Sequence, residues 1–248
     1  MKLSVIIPTY WQSDLCCVHV REAMEGTVIP DEIVVINDGG DPGLEDKLCQ
    51  ISKKTNVIYA RILEDVGFNY NGACNLGVWL SRGDYVTVED VDHIPLRQAY
   101  ENGISILDTR PEISRVAYRR QWVPLAHVLE RSFSEWEPYG GLGCNAMVAM
   151  YRRELMLDMK GQDERMREYG WLAYDFKNRL VKLKVQHAVT FGFLIVKDGS
   201  EPNIDRHMSV TNRRIYRQNV ARLHPHEEGG ILRFTFEVTR FPKGLQSK

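Results

Sequence analysis

Apolar runs and helix-like stretches alternate along residues 1–110, and this alternation limits the possible folds more than any other feature. The predicted strands are rich in apolar and β-branched residues and lie at residues 3–7, 32–36, 57–62 and 84–89. The predicted helices lie at residues 13–26, 44–53, 71–81 and 96–107. Continuous apolar character is typical of strands that are covered on both faces. The alternation therefore predicts an α/β fold, with a mostly parallel sheet flanked by helices.

The second part of the chain, from residue 111, is less regular. Its predicted strands lie at residues 115–118, 145–150 and 187–190. Its predicted helices lie at residues 152–159, 171–183 and 211–223. Because the sequence contains no repeat, low-complexity stretch or convincing linker, we predict a single domain over residues 1–248.

Charge and cysteine content exclude several classes of protein. The chain has 32 Lys+Arg and 33 Asp+Glu, so nucleic acid could bind only through a local basic patch. Five cysteines without a C-x-x-C spacing indicate neither a disulfide framework nor a zinc site, which favours reduced thiols and a cytoplasmic location. The N-terminal apolar run is only about five residues long, so we expect no signal sequence and no transmembrane segment.

A D-x-D pair, Asp90 and Asp92, follows the fourth predicted strand. In isolation such a pair is usually a solvated turn. Here it lies at a strand end, with Glu89 and His93 adjoining. Two carboxylates at this spacing can converge on one hard cation, and Mg²⁺ or Mn²⁺ is typically held by one or two carboxylates plus substrate phosphates.

Two other polar segments follow predicted strands. The turn at residues 37–40 is either a plain Asx/Gly turn or a place where Asp38 accepts a hydrogen bond from a nucleotide base. Small residues at 67–77 permit close backbone approach, and the helix that begins there could attract phosphate. Neither G-x-G-x-x-G nor G-x-x-x-x-G-K-[ST] occurs, which disfavours a Rossmann dinucleotide site and a P-loop.

Four blocks together resemble the family 2 glycosyltransferases and their relatives of GT-A fold. In order, they are SVIIPTY at residues 4–10, EIVVINDGG at 32–40, NLG at 75–77 and DYVTVEDVD at 84–92. Each block is weak alone, but their order and spacing match the family. The resemblance covers roughly the first 100 residues well and residues 140–220 more loosely.

The resemblance implies a nucleotide-diphospho-sugar donor, with UDP as the expected nucleotide. It divides the chain into a nucleotide-sugar-binding half, residues 1–110, and an acceptor half, residues 111–248, with a basic C-terminal segment. The implied donor-binding residues are Pro8, Thr9, Tyr10, Asp38, Asn75 and Asp90. The implied ligands of Mn²⁺ or Mg²⁺ are Asp90, Asp92 and His207.

The acceptor-side block, which consists of GQDE at residues 161–164, YGWLAYDF at 169–176 and RL at 179–180, departs from the family pattern. Where the family has a Glu-Asp pair whose Asp acts as base, this chain has Leu172-Ala173, although Asp175 and Arg179-Leu180 are kept. The candidate catalytic carboxylates are Asp175, Asp163 and Glu164, with Glu168 as a further candidate. Alternatively, the acceptor or the donor phosphate takes the proton, or the protein binds a nucleotide sugar without transferring it.

Residues 206–222 contain five arginines and no acidic residue. They are either a solvated basic face or a contact surface for donor phosphates or an anionic acceptor. We therefore predict a metal-dependent, inverting glycosyltransferase acting on a saccharide or glycoconjugate acceptor. One alternative is a transferase acting on a modified base of DNA or RNA, and another is a non-catalytic nucleotide-sugar-binding relative.

Overall fold

A computed structural model describes residues 2–51, 54–64, 67–125, 128, 147–197, 208–220, 232 and 234–243. The strands in these ranges are β1 Leu3–Thr9, β2 Glu32–Asn37, β3 Asn56–Ile62, β4 Tyr85–Val88, β5 His93–Pro95, β6 Arg115–Pro124, β7 Ala149–Arg152, β8 His187–Lys197 and β9 Phe236–Phe241. The helices are α1 Ser13–Ala23, α2 Leu44–Ile51, α3 Tyr70–Leu80, α4 Ala99–Thr109, α5 Arg153–Asp158, α6 Leu172–Lys182 and α7 Val210–Val220. None of these helices is both long and apolar enough to cross a membrane.

The described strands form one sheet in the order β5-β8-β6-β7-β4-β1-β2-β3-β9. At its centre β4, β1, β2 and β3 are parallel, with Leu3 paired to Tyr85 and Ser4 paired to Glu32. This confirms the parallel α/β arrangement predicted for the first part of the chain. Because the four strands run the same way, their carboxyl ends meet at one edge, where open α/β sheets bind ligands.

The later strands extend this parallel centre mainly by antiparallel pairing. Strand β7 is antiparallel to both β4 and β6, and β9 is antiparallel to β3. Strands β5 and β9 were not predicted: β5 has only three residues, and most side chains of the edge strand β9 are at least partly exposed. Strand β6 also runs further than predicted, because pairing with β8 holds its polar residues in the sheet.

Both faces of the central sheet are buried. Val5, Ile7 and Val35 pack with α1 and α2 on one face, while Ile6 and Val34 pack with α3 on the other. This two-sided burial is the physical reason for the continuous apolar runs in the sequence. Helix α3 approaches especially closely, since a Cβ at Gly77 would lie 2.2 Å from Cγ2 of Ile6. The C-terminal part of α3 is thereby packed closely against β1.

Candidate active site

The carboxyl ends of β2 and β4 present Asp38 and Asp90 to the start of α3. The backbone N–H of Asn69 donates to Oδ2 of Asp38 at 3.1 Å. The hydroxyl of the next residue, Tyr70, donates to Oδ1 of Asp90 at 2.5 Å. Burial raises the pKa of Tyr70 well above its usual value, and the Asp90 charge adds to this effect, so the phenol stays a donor. One helix start therefore positions both carboxylates.

Three of the predicted donor-binding residues lie at the end of β1. Pro8 and Thr9 are buried, whereas the Tyr10 side chain is 46% exposed. Oγ1 of Thr9 is buried and has no hydrogen-bond partner within the described residues, which is costly unless a ligand or water supplies one. The turn at 37–40 approaches this segment closely, since a Cβ at Gly40 would lie 2.7 Å from the backbone N of Trp11. The nucleotide-binding roles of these residues stay predictions.

Asn75 lies deeper along α3 than the residues at the sheet edge. Its Nδ2 donates to the backbone oxygen of Gln162 at 2.9 Å and to Oε1 of Glu164 at 2.8 Å. Its Oδ1 accepts from the Gln162 backbone N–H at 2.6 Å. Both amide hydrogens and the amide oxygen are thus engaged within the protein. These contacts favour a structural role for Asn75 over the predicted donor contact.

Asp90, Asp92 and His93 offer ligand atoms that all lie within 4.8 Å of one another. The two carboxylates offer oxygen ligands of the kind that a hard divalent cation such as Mn²⁺ or Mg²⁺ prefers. Burial raises the pKa of Asp90, and the nearby Asp92 carboxylate adds to the increase against the opposing effect of His93. Burial also acts to raise the pKa of Asp92, but the hydrogen bond from His93 and several smaller effects together outweigh it, so the pKa is lowered.

The imidazole of His93 connects this cluster to an arginine that the sequence motif did not indicate. Nη1 of Arg120 lies 2.8 Å from Nε2 of His93, whose Nδ1 lies 2.6 Å from Oδ1 of Asp92. A guanidinium can only donate, so Nε2 accepts and the proton on Nδ1 is donated to Asp92. In this arrangement His93 orients Asp92 and has no ring nitrogen free for a cation. The predicted third ligand, His207, lies outside the described residues.

Arg120 reaches the cluster from the irregular part of β6. The register between β6 and β8 shifts between Arg119 and Arg120, as in a β-bulge. Bulges re-aim side chains and are frequent beside active sites. The sequence signal for this contact was the Arg119-Arg120 pair. Without the strand register, the sequence does not show which of the two arginines points to the cluster.

A buried network supports the D-x-D segment from inside the protein. Glu89 is fully buried and contacts Nε2 of His19 at 2.6 Å, the Thr87 hydroxyl at 3.0 Å and the Tyr100 hydroxyl at 3.1 Å. The other ring nitrogen of His19 lies 3.3 Å from the backbone oxygen of Val91, between the two aspartates. Glu89 therefore anchors the segment internally, whereas Asp90 and Asp92 face the edge.

The predicted catalytic carboxylates Asp163 and Asp175 share one partner, Asn219 of α7. Nδ2 of Asn219 donates to Oδ2 of Asp163 at 2.8 Å and to Oδ1 of Asp175 at 2.9 Å. Arg165 makes a two-pronged contact with Asp163, at 2.9 and 2.6 Å. Arg179 donates from Nε to Asp175 at 3.2 Å. The pair thus joins the loop before α6, α6 itself and α7.

Burial affects these two carboxylates in different ways. Burial acts to raise the pKa of Asp163, but hydrogen bonds from Arg165 and Asn219 outweigh it, so the pKa is lowered. For Asp175 burial prevails and the pKa is raised, although Arg179 opposes the increase. Neither side chain is more than 2% exposed. Glu164 is 3% exposed and accepts from Asn75. Their positions favour structural roles, while their catalytic roles stay predictions.

Glu168 differs from the other acidic residues of this block. It is exposed, and its carboxylate accepts a hydrogen bond from the Ser209 hydroxyl. The block also packs against the carboxyl edge of the sheet, because Tyr70 contacts the apolar cluster formed by Met166, Leu172 and Ile215. Tyr70 therefore connects Asp90 with the acceptor-side block.

Comparison with known proteins identifies what this arrangement resembles. The family model described as Glycosyl transferase family 2 matches residues 4–159, more than half of the chain. Comparison with curated proteins finds no match.

Two solved structures share the fold at low sequence identity. S. aureus TarS 1-349 in complex with UDP-GlcNAc is 16% identical, with a TM-score of 0.64 over 81% of this chain and 60% of that one. The mannosyltransferase PcManGT from Pyrobaculum calidifontis, in complex with GDP-Man and Mn²⁺, is 18% identical. Its TM-score is 0.58, and the match covers 87% of this chain and 60% of that one. The chain thus spans about 60% of the length of these structures.

Proposed function

Because the chain belongs to glycosyl transferase family 2, we propose that it transfers a sugar from a nucleotide diphosphate to an acceptor hydroxyl. The observation that carries this proposal is the convergence of Asp38 and Asp90 on the first turn of α3, at the carboxyl edge of the sheet. Similar folds are found in proteins solved with UDP-GlcNAc and with GDP-Man. UDP as the nucleotide and a cytoplasmic location are part of the proposal.

For the donor, we assign the nucleotide to the ends of β1 and β2. The unpartnered Oγ1 of Thr9 and the exposed ring of Tyr10 lie at the end of β1. Asp38 accepts from Asn69 and follows the end of β2. A buried hydroxyl without a partner gains stability when a ligand supplies one, which supports Thr9 as a donor contact.

For the metal, we assign Asp90 and Asp92 as ligands. Their carboxylate oxygens suit a hard divalent cation, which when bound would stabilise negative charge on the departing diphosphate as a Lewis acid. His93 holds the Asp92 carboxylate and is itself held by Arg120. The guanidinium also brings a positive charge to the same edge, where diphosphate charge would develop.

For the chemistry, we propose a single in-line displacement. The acceptor oxygen bonds to the anomeric carbon as the sugar–phosphate bond breaks, and the electron pair leaves with the nucleotide diphosphate. The acceptor hydroxyl proton must pass to a base within hydrogen-bond reach. Because Asp163, Glu164 and Asp175 are buried and hydrogen-bonded, we assign this role to the exposed Glu168.

The test is a donor screen with Mn²⁺ that measures nucleotide diphosphate release, together with Mn²⁺ binding measured calorimetrically. Wild type should release diphosphate from at least one nucleotide sugar, and Asp92→Asn should lose both release and Mn²⁺ binding. Glu168→Gln should bind donor and metal normally but transfer sugar at least about 100-fold more slowly. Tight nucleotide binding with no turnover over a broad acceptor panel would instead identify a non-catalytic relative.

A further inference from the structure

A surface rich in aromatic and arginine side chains lies at the start of α6 and along α7, where the family has its Glu-Asp pair. We call it the aromatic–arginine surface, and it consists of Tyr169, Trp171, Tyr174, Arg213, Arg214, Tyr216 and Arg217. Replacement of the acidic pair by Leu172-Ala173 leaves this surface without the carboxylates expected there.

Its rings are grouped around Trp171. The Trp171 and Tyr216 rings are stacked, with centroids 5.3 Å apart and an interplanar angle of 29°. The Tyr174 ring lies 5.5 Å from the Trp171 ring and is tilted by 43°. Tyr174 is 56% exposed and Tyr169 is 47% exposed, although large aromatic side chains are usually buried. Tyr169 and Tyr174 are therefore largely exposed for residues of their size, and Trp171 is partly exposed.

The backbone and the indole of Trp171 add a second observation. Trp171 has a φ of 68°, in the left-handed region that bulky residues rarely adopt. Residues with such strained backbone conformations cluster at functional sites. Its Nε1 is buried and has no hydrogen-bond partner within the described residues. A strained residue with an unsatisfied buried donor indicates a ligand that completes the site.

The cations of the surface are all arginines and all exposed. Arg213, Arg214 and Arg217 lie on α7, and Cζ of Arg213 is 5.5 Å from the Trp171 ring centroid. None of the three is paired with a carboxylate in the described part of the chain, and residues 208–220 contain no acidic residue. Arginine recognises phosphate through its planar fork and also stacks on aromatic rings.

Polar groups that could recognise sugar hydroxyls are directed inward beneath this surface. Nδ2 of Asn212 donates to the backbone oxygens of Glu168 and Gly170, at 2.6 and 3.0 Å. Nδ2 of Asn219 donates to the two buried aspartates. The outer layer therefore offers aromatic rings and arginines, with the exposed Glu168 carboxylate next to Tyr169 in the chain.

The surface lies close to the proposed metal edge. Tyr70, whose hydroxyl contacts Asp90, packs on the same cluster of Met166, Leu172 and Ile215 that Tyr216 packs on. Tyr216 in turn stacks on Trp171. One layer of side chains thus links the Asp90 carboxylate to the stacked rings, which places the surface on the acceptor side of the site.

We propose that the aromatic–arginine surface binds a single-stranded nucleic acid segment, whose bases stack on Trp171 and Tyr174 and whose phosphates contact Arg214 and Arg217. Combined stacking platforms and cationic grooves are the way proteins hold single strands without reading sequence. The near-neutral net charge of the chain is compatible with binding through one local basic surface. This inference rests on the proposed function only in naming the bound strand as the acceptor.

Binding is tested by fluorescence anisotropy with fluorescein-labelled DNA and RNA single strands of about 12 nucleotides, within the site sizes common for such surfaces. No donor is added. We expect binding whose logarithm falls with log salt at a slope of about −1.4, because Arg214 and Arg217 neutralise two phosphates on a single strand. Arg214→Gln and Arg217→Gln should each reduce the slope by about 0.7.

Removal of the ring tests stacking separately from charge. Trp171→Leu should weaken binding about tenfold or more, while Trp171→Phe, which keeps a ring, should retain most of the affinity. Matched controls are Trp79→Leu, which removes another exposed tryptophan, and Arg240→Gln, which removes an exposed arginine of β9. Both controls should leave affinity and slope unchanged. Circular dichroism verifies that each variant is folded.

Competition with poly(glycerol phosphate) of equal phosphate number distinguishes bases from charge alone. The inference is overturned if this polymer competes as well as the oligonucleotide, if no single strand binds at low salt, or if the controls weaken binding as much as Trp171→Leu does. Diphosphate release from nucleotide sugars is measured on the same preparation. Release without strand binding refutes this inference alone, whereas strand binding without release or donor binding refutes the proposed function alone.

Discussion

The parallel centre of the sheet and the acceptor-side block both carry acidic residues in family-like positions, yet they use them in opposite ways. At the sheet edge Asp90 and Asp92 remain partly exposed and face each other across a cation-sized cluster. In the acceptor block Asp163 and Asp175 are buried and bound to Arg165, Arg179 and Asn219. We propose that the edge carboxylates act in the chemistry and that the buried carboxylates stabilise the fold, and burial distinguishes the two pairs.

The largest expected effect comes from substitution of Asp92, at the carboxyl edge of the sheet. Asp92→Asn should lower sugar transfer by about 10²–10³-fold, because it removes electrostatic stabilisation of the departing diphosphate. The free energy of unfolding should change by no more than about 1.5 kcal/mol, because Asp92 is partly exposed and the change weakens a single hydrogen bond, the one from His93. Diphosphate release and urea unfolding measure the two quantities. A large loss of stability with unchanged activity would reverse the comparison between the two regions.

The matching change in the acceptor block should affect stability instead. Asp175→Asn leaves the buried Arg179 guanidinium without its carboxylate, so unfolding should become easier by about 3–5 kcal/mol. Asp158→Asn, an exposed position at the end of α5, should change stability by less than about 0.5 kcal/mol. If Asp175→Asn folds normally and abolishes transfer, Asp175 is the catalytic base after all.

A smaller effect is expected at the contacts that orient the metal ligand. His93→Ala and Arg120→Gln should each weaken Mn²⁺ binding about 10–100-fold, the range found for residues that orient metal ligands. Arg119→Gln changes the exposed neighbour in the same strand and should leave Mn²⁺ affinity unchanged. Equal effects at Arg119 and Arg120 would show that general positive charge, rather than the His93 contact, matters.

The smallest effect is a pH dependence in the acceptor block. Because the folded-state pKa of Asp163 is lowered, its ionised form contributes stability that is present above the unfolded pKa and is lost as the pH falls through the folded pKa. Denaturant unfolding at a series of pH values below about 4 should therefore show a shallower decline for Asp163→Asn than for wild type. Parallel declines would mean that Asp163 ionisation does not support the fold.

Much of the parallel centre was predictable because strands covered on both faces require continuous apolar runs. The same pattern located Asp38 and Asp90, since turns after parallel strands must meet at one edge. Strands β5 and β9 were missed because their pairing depends on tertiary contacts rather than on a local pattern. The Arg120–His93 contact was missed for a similar reason, because it depends on a register shift that no local sequence pattern encodes.

The burial of Asp163 and Asp175 could not be predicted from the sequence either. Asp175 and Arg179 resemble the family pattern, but the hydrogen-bond partner that the two aspartates share, Asn219, lies on α7, more than 40 residues further along the chain. The sequence did show that Leu172-Ala173 stands where the family has its Glu-Asp pair. The exposed rings around Trp171 depend on a left-handed backbone conformation that no residue pattern there predicts.

The central claim is that the edge carboxylates bind the metal while the acceptor-block carboxylates hold the fold. The most direct measurement is calorimetric titration of Mn²⁺ into wild type, Asp92→Asn and Asp163→Asn, with each variant verified as folded. The account predicts saturable binding to wild type and Asp163→Asn and its loss in Asp92→Asn. Binding that survives in Asp92→Asn and disappears in Asp163→Asn would contradict it.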